Sequence, residues 1–272
     1  MTKPFKTSLI LASFFVLGWL LFALLQQYTN RHEPHSDYPA IKNRGELRVC
    51  GEYDPFSFYT DDQGQHGFHY ELAKAFAEAH GLTLVYMYEG TFRTRMQWLN
   101  TGRCDLLTGP LPILNSLRPT LAYTMPLYGS RLVLVQRRSD KPLRNQVNLA
   151  DKTVSIASHS PYLVRISHLA TEISDSIHVK EVRVFTHEEL LKQVNDGKTD
   201  FAVMDEYMAK AWSKDYPELD IQTPLSLTQF QAWAVRPNSP QLLDSLNVFL
   251  EGYKKSRAYA RLLKRYGATP TR

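Results

Sequence analysis

A chain of 272 residues with 43% hydrophobic and 22% charged residues can bury one large core or two smaller ones, and it is too apolar to stay disordered. Its net charge of +5 is modest and includes no long Lys/Arg run, so no nucleic-acid partner is expected. Two cysteines, Cys50 and Cys104, cannot build a disulfide framework; one bridge and two buried thiols both stay open, and no Cys/His spacing points to zinc.

The first element is apolar. Ser8 to Leu25, SLILASFFVLGWLLFALL, carries no charge and is about long enough to cross a hydrocarbon core. Lys3 and Lys6 precede it, which puts the N-terminus in the cytoplasm and the bulk of the chain outside. ALLQQ makes a poor cleavage site. An uncleaved signal anchor in the inner membrane is therefore expected over residues 1–30, a cleaved signal being the alternative; the globular part is periplasmic either way. Residues 31–43, polar with two prolines, read as a linker.

Strands and helices then alternate. ELRVCG is a strand, and an aromatic, acidic loop follows it. Phe68, Leu72, Phe76 and Ala79 share one face of a helix over about Phe68–His80, with Gly81 placed to cap it. LTLVYMY is a strand, TRMQWLNTG a helix and CDLLTG a third strand. The pattern restarts with SRLVLVQRR, then the strand TVSIAS and the helix PYLVRISHLATEI, opened by Ser158, His159 and Ser160 with Pro161 in its first turn. HVKEVRVF, a helix THEELLKQVNDG capped by Thr186, TDFAVM and EYMAKAWSKDYP follow. FQAWAVRP is a last strand, before helices around LLDSLNVFLEGY and AYARLLKRYG.

Two α/β units joined by extended crossings near 130–137 and 228–236 predict a two-lobed clamshell, with ligands favouring the C-terminal strand ends that face the cleft. The expected division is 44–132 for the first part of lobe 1, 133–230 for lobe 2 and 231–272 for the return strand and closing helices.

The run GELRVCGEYDPFSFYTDDQGQHGFHYELAKAFAEAHGLTL resembles the opening of solute-binding proteins of family 3, type II periplasmic proteins that bind amino acids. Counterparts of the family pattern stand at Leu47–Val49, Pro55–Phe56, Gly67–Ala73, Gly102–Asp105 and Asp200–Asp205, and the resemblance covers residues 44 to 267. Within the family, NSLR at Asn115–Arg118, TDFAVMDEYMA and YPELDIQTPLSLTQFQAWAV are most similar to the N-terminal, non-catalytic module of membrane-bound lytic murein transglycosylase F. The chain ends where that module ends, so recognition is expected and not cleavage.

The resemblance implies site residues. Arg118 matches the arginine that grips a ligand α-carboxylate, ten residues before Tyr128, although one residue is inserted after Asp105 and the usual T-x-T is missing. Asp205 matches the acid that receives the α-amino group, and it also suits a helix N-cap. Ser158, His159 and Ser160 match the ligand loop of the second lobe. Tyr53 is expected as an aromatic wall, Phe56 as core, Asp54 as a turn residue, Thr108 and Gly109 as donors of backbone groups, and Trp212 and Trp233 as packing.

The expected function is a non-catalytic module closing on a small carboxylate-bearing ligand: an amino acid, a peptide or a muropeptide. It would use no cofactor and no metal, and a permease or cell-wall enzyme is a conceivable partner. The alternatives are a degenerate clamshell kept for protein contacts, and a dehydratase using His159 and Asp205 as base and acid.

Overall fold

The computed structural model describes residues 18–20 and 37–270. Apart from 18–20, the expected anchor lies outside the described residues, and no helix among those described is long and apolar enough to cross a membrane. The chain divides into Met1–His35 and Ser36–Arg272; the second unit holds everything that follows.

Its elements are α1 (Tyr38–Arg44), β1 (Glu46–Gly51), β2 (Tyr59–Asp61), β3 (Gly64–His66), α2 (Phe68–Ala79), β4 (Thr83–Tyr88), α3 (Phe92–Asn100), β5 (Leu106–Leu107), β6 (Ala122–Tyr123), β7 (Tyr128–Ser130), β8 (Leu132–Arg137), β9 (Thr153–Ala157), α4 (Leu163–Glu172), β10 (His178–Val182), α5 (Glu188–Asn195), β11 (Phe201–Asp205), α6 (Glu206–Trp212), β12 (Leu219–Pro224), β13 (Gln229–Gln231), β14 (Ala234–Val235), α7 (Pro240–Tyr253), α8 (Arg257–Tyr266) and β15 (Thr269–Pro270). Two five-stranded sheets, β4-β1-β5-β14-β6 and β10-β9-β11-β8-β12, form the two lobes. In the first, β1 runs parallel to β4 and β5; in the second, β9 runs parallel to β10 and β11. The crossing strands β14 and β8 join antiparallel. A small sheet, β13-β7-β15, ties the crossings together.

Burial explains the strands. Alternate residues of β8 enter different cores: Leu132 and Leu134 pack with Val154, Ile156 and Leu169, while Val133 and Val135 pack with Leu190, Val194 and Met204. A strand covered on both faces reads as a continuous apolar run, which is what LVLV is. In lobe 1, Leu47 and Val49 of β1 meet Phe68, Leu72 and Phe76 of α2 and Leu242, Leu246 and Leu250 of α7. Trp233 is fully buried there; its Nε1 donates to His69 Nδ1 (2.8 Å), and His69 Nε2 lies 3.1 Å from Tyr128 Oη. Burial pulls the His69 imidazole down to about 3, so it is neutral. Cys50 and Cys104, both fully buried, are bonded to each other across lobe 1.

Four expectations need correction. The end of the expected linker is helix α1: Asp37 accepts from the Tyr38 amide (2.7 Å), Gly45 closes the helix at φ +74°, and Ile41 is buried in the lobe 1 core. The aromatic loop contains the β2–β3 hairpin, which pairs Tyr59 with His66. Thr186 does not cap α5, whose N-cap is His187. The expected strand FQAWAVRP splits into β13 and β14, which belong to different sheets.

Candidate functional site

The C-terminal ends of parallel strands converge on the space between the lobes. From lobe 1 come Glu52, just past β1, Thr108, Gly109 and Pro110, just past β5, and Arg95 from α3. From lobe 2 come Ser158, Ser160 and Tyr162, past β9, and His187, past β10. The remaining space is about 20 Å³, room for roughly one water molecule.

The lobes touch directly. Tyr162 Oη donates to the Pro110 carbonyl (2.8 Å). His187 Nδ1 stands 3.4 Å from Glu52 Oε2. Gly90 meets the backbone of Phe185 so closely that a Cβ at Gly90 would lie 2.2 Å from the Phe185 carbonyl oxygen. This is the closed arrangement of a clamshell.

Arg95 and Glu52 form a salt bridge at the centre, their side chains only 4% and 9% exposed. Arg95 Nε and Nη1 and Glu52 Oε2 are buried without hydrogen-bond partners among the described residues. Nη1 lies beside Gly109, where a Cβ would be 3.9 Å away. Burial pulls the Arg95 guanidinium down to about 9, with Tyr162 opposing the shift, so it stays protonated at neutral pH and faces the Glu52 carboxylate as a cation. Burial first, and the Arg95 charge second, pull His187 down to about 3, so its ring is neutral.

Asp205 ends β11 and caps α6, accepting from the Tyr207 amide (2.9 Å). Its Oδ2 lies 3.4 Å from Tyr162 Oη, which places it behind the tyrosine that bridges the lobes. Burial pushes its carboxyl up to about 6, against the opposing bonds from Ser130 and the Tyr207 amide.

Of the residues singled out in the sequence, Thr108, Gly109, Ser158 and Ser160 line the cleft, and Asp205 adjoins it. Others lie elsewhere. Arg118 follows a 3-10 turn at Asn115–Leu117, is exposed, donates from Nε to Asn115 Oδ1 (3.1 Å) and does not line the cleft. His159 is exposed at φ +57°, with its amide held by Glu181 (2.8 Å), so it forms no acid–base pair in the cavity. The loop does not cap α4, which starts at Leu163; Ser160 Oγ accepts from the Tyr162 amide instead (3.2 Å). Tyr128 is core, edge-on to Phe56 and Phe68. Tyr53 packs on Tyr88 and Phe58 outside the cavity lining. Asp54 is a buried turn residue accepting from the amides of Phe56 and Ser57.

Sequence reasoning missed Glu52, Arg95, Tyr162 and His187. Three of them stand in loops just past parallel strands, the position that rule predicts for ligand groups in an open α/β sheet. Arg95 gave no such signal, because an arginine on an amphipathic helix reads as solvent-facing.

Residues 47–269 match the model of bacterial extracellular solute-binding proteins, family 3. Among curated proteins, the chain is 28% identical over 228 residues to membrane-bound lytic murein transglycosylase F of Desulfosudis oleivorans, covering 83% of this chain and 49% of that protein. The enzyme of the same name from Serratia proteamaculans is 28% identical over 249 residues, 91% of this chain and 51% of that protein. The chain therefore spans about half the length of these relatives. Among solved structures, a mutant of the T. maritima arginine-binding protein superimposes with a TM-score of 0.73 at 26% identity, covering 84% of this chain and 98% of that one. An ancestral amino-acid-binding protein described as a precursor of cyclohexadienyl dehydratase, at 22% identity and TM-score 0.71, shares the fold.

Proposed function

The chain belongs to family 3 of the bacterial extracellular solute-binding proteins, and from that premise we propose that it is an exported, non-catalytic binding module that closes on a small zwitterion. One observation carries the reading: a charged, buried guanidinium with two unpartnered nitrogens lines the cleft, paired with Glu52, while a second carboxylate, Asp205, stands behind Tyr162 on the opposite lobe. A planar guanidinium fork matches a carboxylate, and buried donors without partners gain most from receiving one. Arg95 therefore takes the ligand carboxylate, and Asp205 with Glu52 Oε2 takes its amine.

A free amino acid meets this demand with the fewest atoms, and neighbours in fold include an arginine-binding protein crystallised with arginine. A muropeptide, which also carries both groups, is the second ligand class, in keeping with the murein enzymes that share the sequence. Ser8–Leu25 would hold the module at the inner membrane, facing the periplasm. With room left for about one water, entry requires the lobes to part and Glu52 to leave Arg95.

The same small volume favours a second reading, a clamshell whose lobes are held together by their own contacts, such as Tyr162 on Pro110, and kept for protein contacts. A thermal-shift screen against amino acids, dipeptides and muropeptides separates the two. A ligand that binds only the folded state raises the melting temperature by mass action. A shift confined to zwitterions supports the first reading, and no shift across the panel supports the second.

A further inference from the structure

A second concavity, of about 380 Å³, lies away from the cleft and takes its walls from both lobes. Lys210 and Lys214 come from α6 and the segment after it; Lys264 and Arg265 come from the last turn of α8. Tyr59 and Tyr266 lie among them, and no Asp or Glu lines the space. Lys210 is paired with Glu206 (2.7 Å) and Arg265 with Glu71 (2.8 Å). Lys214 and Lys264 have no carboxylate partner among the described residues, so two of the four cations are unbalanced.

Basic residues in the last turn of a helix complement its dipole, which accounts for a cation at either helix end alone. It does not account for two such ends, remote in sequence and from different lobes, opening on one concavity. Like charges around a shared space repel unless an anion joins them. We infer that this pocket binds a small oxyanion carrying at least two negative charges, held between Lys214 and Lys264 and flanked by Lys210 and Arg265. A free phosphate-type anion and the headgroup of an acidic lipid share this chemistry.

The test uses the full chain in low-salt, phosphate-free buffer, because salt screens such contacts. Inorganic pyrophosphate is titrated calorimetrically, and sedimentation is measured with vesicles of phosphatidylcholine alone or with phosphatidylglycerol. The parent is compared with Lys214→Gln/Lys264→Gln. The control, Lys74→Gln/Lys255→Gln, removes the same charge at two exposed lysines, each paired with a carboxylate four residues away in the chain. Melting curves confirm that both variants fold. Saturable pyrophosphate binding, weakened about tenfold or more in the Lys214/Lys264 variant and unchanged in the control, is expected. Acidic-vesicle binding that falls in the same variant alone, without a pyrophosphate signal, supports the site and assigns it to a lipid headgroup. No binding of either probe, or equal losses in both double variants, overturns the inference.

Discussion

Replacing Glu52 by Gln isolates the energetics of the cleft. The change keeps the side-chain volume and removes the negative charge, leaving the Arg95 guanidinium buried with no counter-charge in contact. Two of its nitrogens already lack partners, so no existing bond compensates. Removing one member of a buried pair costs about 3–5 kcal/mol, because the desolvation penalty of the survivor is no longer offset. For a domain of this size, 1 kcal/mol moves the melting temperature by roughly 2–4 °C, so Glu52→Gln should lower it by roughly 6–20 °C. Removing both charges, as Glu52→Gln/Arg95→Met, should recover a good part of that loss, since no buried charge is then left without its partner. Urea midpoints for parent, single and double variants give the coupling directly. A single variant within about 0.5 kcal/mol of the parent, or a double variant less stable than the sum of both singles, would refute a desolvated pair.

Other predictions concern closure, protonation and the disulfide. Gly90→Ala puts a methyl 2.2 Å from the Phe185 carbonyl oxygen, so the lobes should rest further apart; small-angle scattering should give a larger radius of gyration, and an unchanged one counts against this contact. His69 and His187 are neutral when folded, with pKa about 3 against 6.5 for the exposed ring. Their contributions are full above pH 6.5 and fall as pH drops toward 3, by about 1.4 kcal/mol per histidine per pH unit; urea midpoints for His69→Gln should therefore decline less steeply below pH 6. Asp205 acts oppositely, because its folded pKa of about 6 lies above the unfolded 3.8. It gains stability on acidification through that window, so Asp205→Asn, which keeps the cap, should steepen the acid loss by about 1–3 kcal/mol. Cys50–Cys104 closes a separation of 54 residues; by chain entropy its reduction should cost about 4 kcal/mol, read as a lower urea midpoint in dithiothreitol.

The order of strands and helices was legible because hydrophobic period and turn residues agreed along most of the chain, as in α2 with Gly81 beyond it. Helix α1 carried its signals in DYPAIKNRG: an Asp cap, a proline in the first turn and a closing glycine. They were outweighed by the polar composition of the preceding segment. The short strands β5 and β14 are fixed by pairing with distant partners, which local pattern does not encode. In the site, Thr108, Gly109, Ser158 and Ser160 were legible from their place after strands. Arg118 was misplaced because motif spacing does not report the direction of a loop, here set by the 3-10 turn at Asn115–Leu117 and the bond to Asn115. Arg95 was hidden because burial of a charge depends on a counter-charge from another element, here Glu52.

The most direct test of a cleft built on Arg95 is calorimetric titration of the best amino-acid ligand into the parent, Arg95→Gln and Arg118→Ala. Two charge-assisted hydrogen bonds to the ligand carboxylate require a loss of about a hundredfold or more in Arg95→Gln, with Arg118→Ala unchanged within about twofold. Binding that survives in Arg95→Gln and disappears in Arg118→Ala would contradict the assignment and return the carboxylate to Arg118.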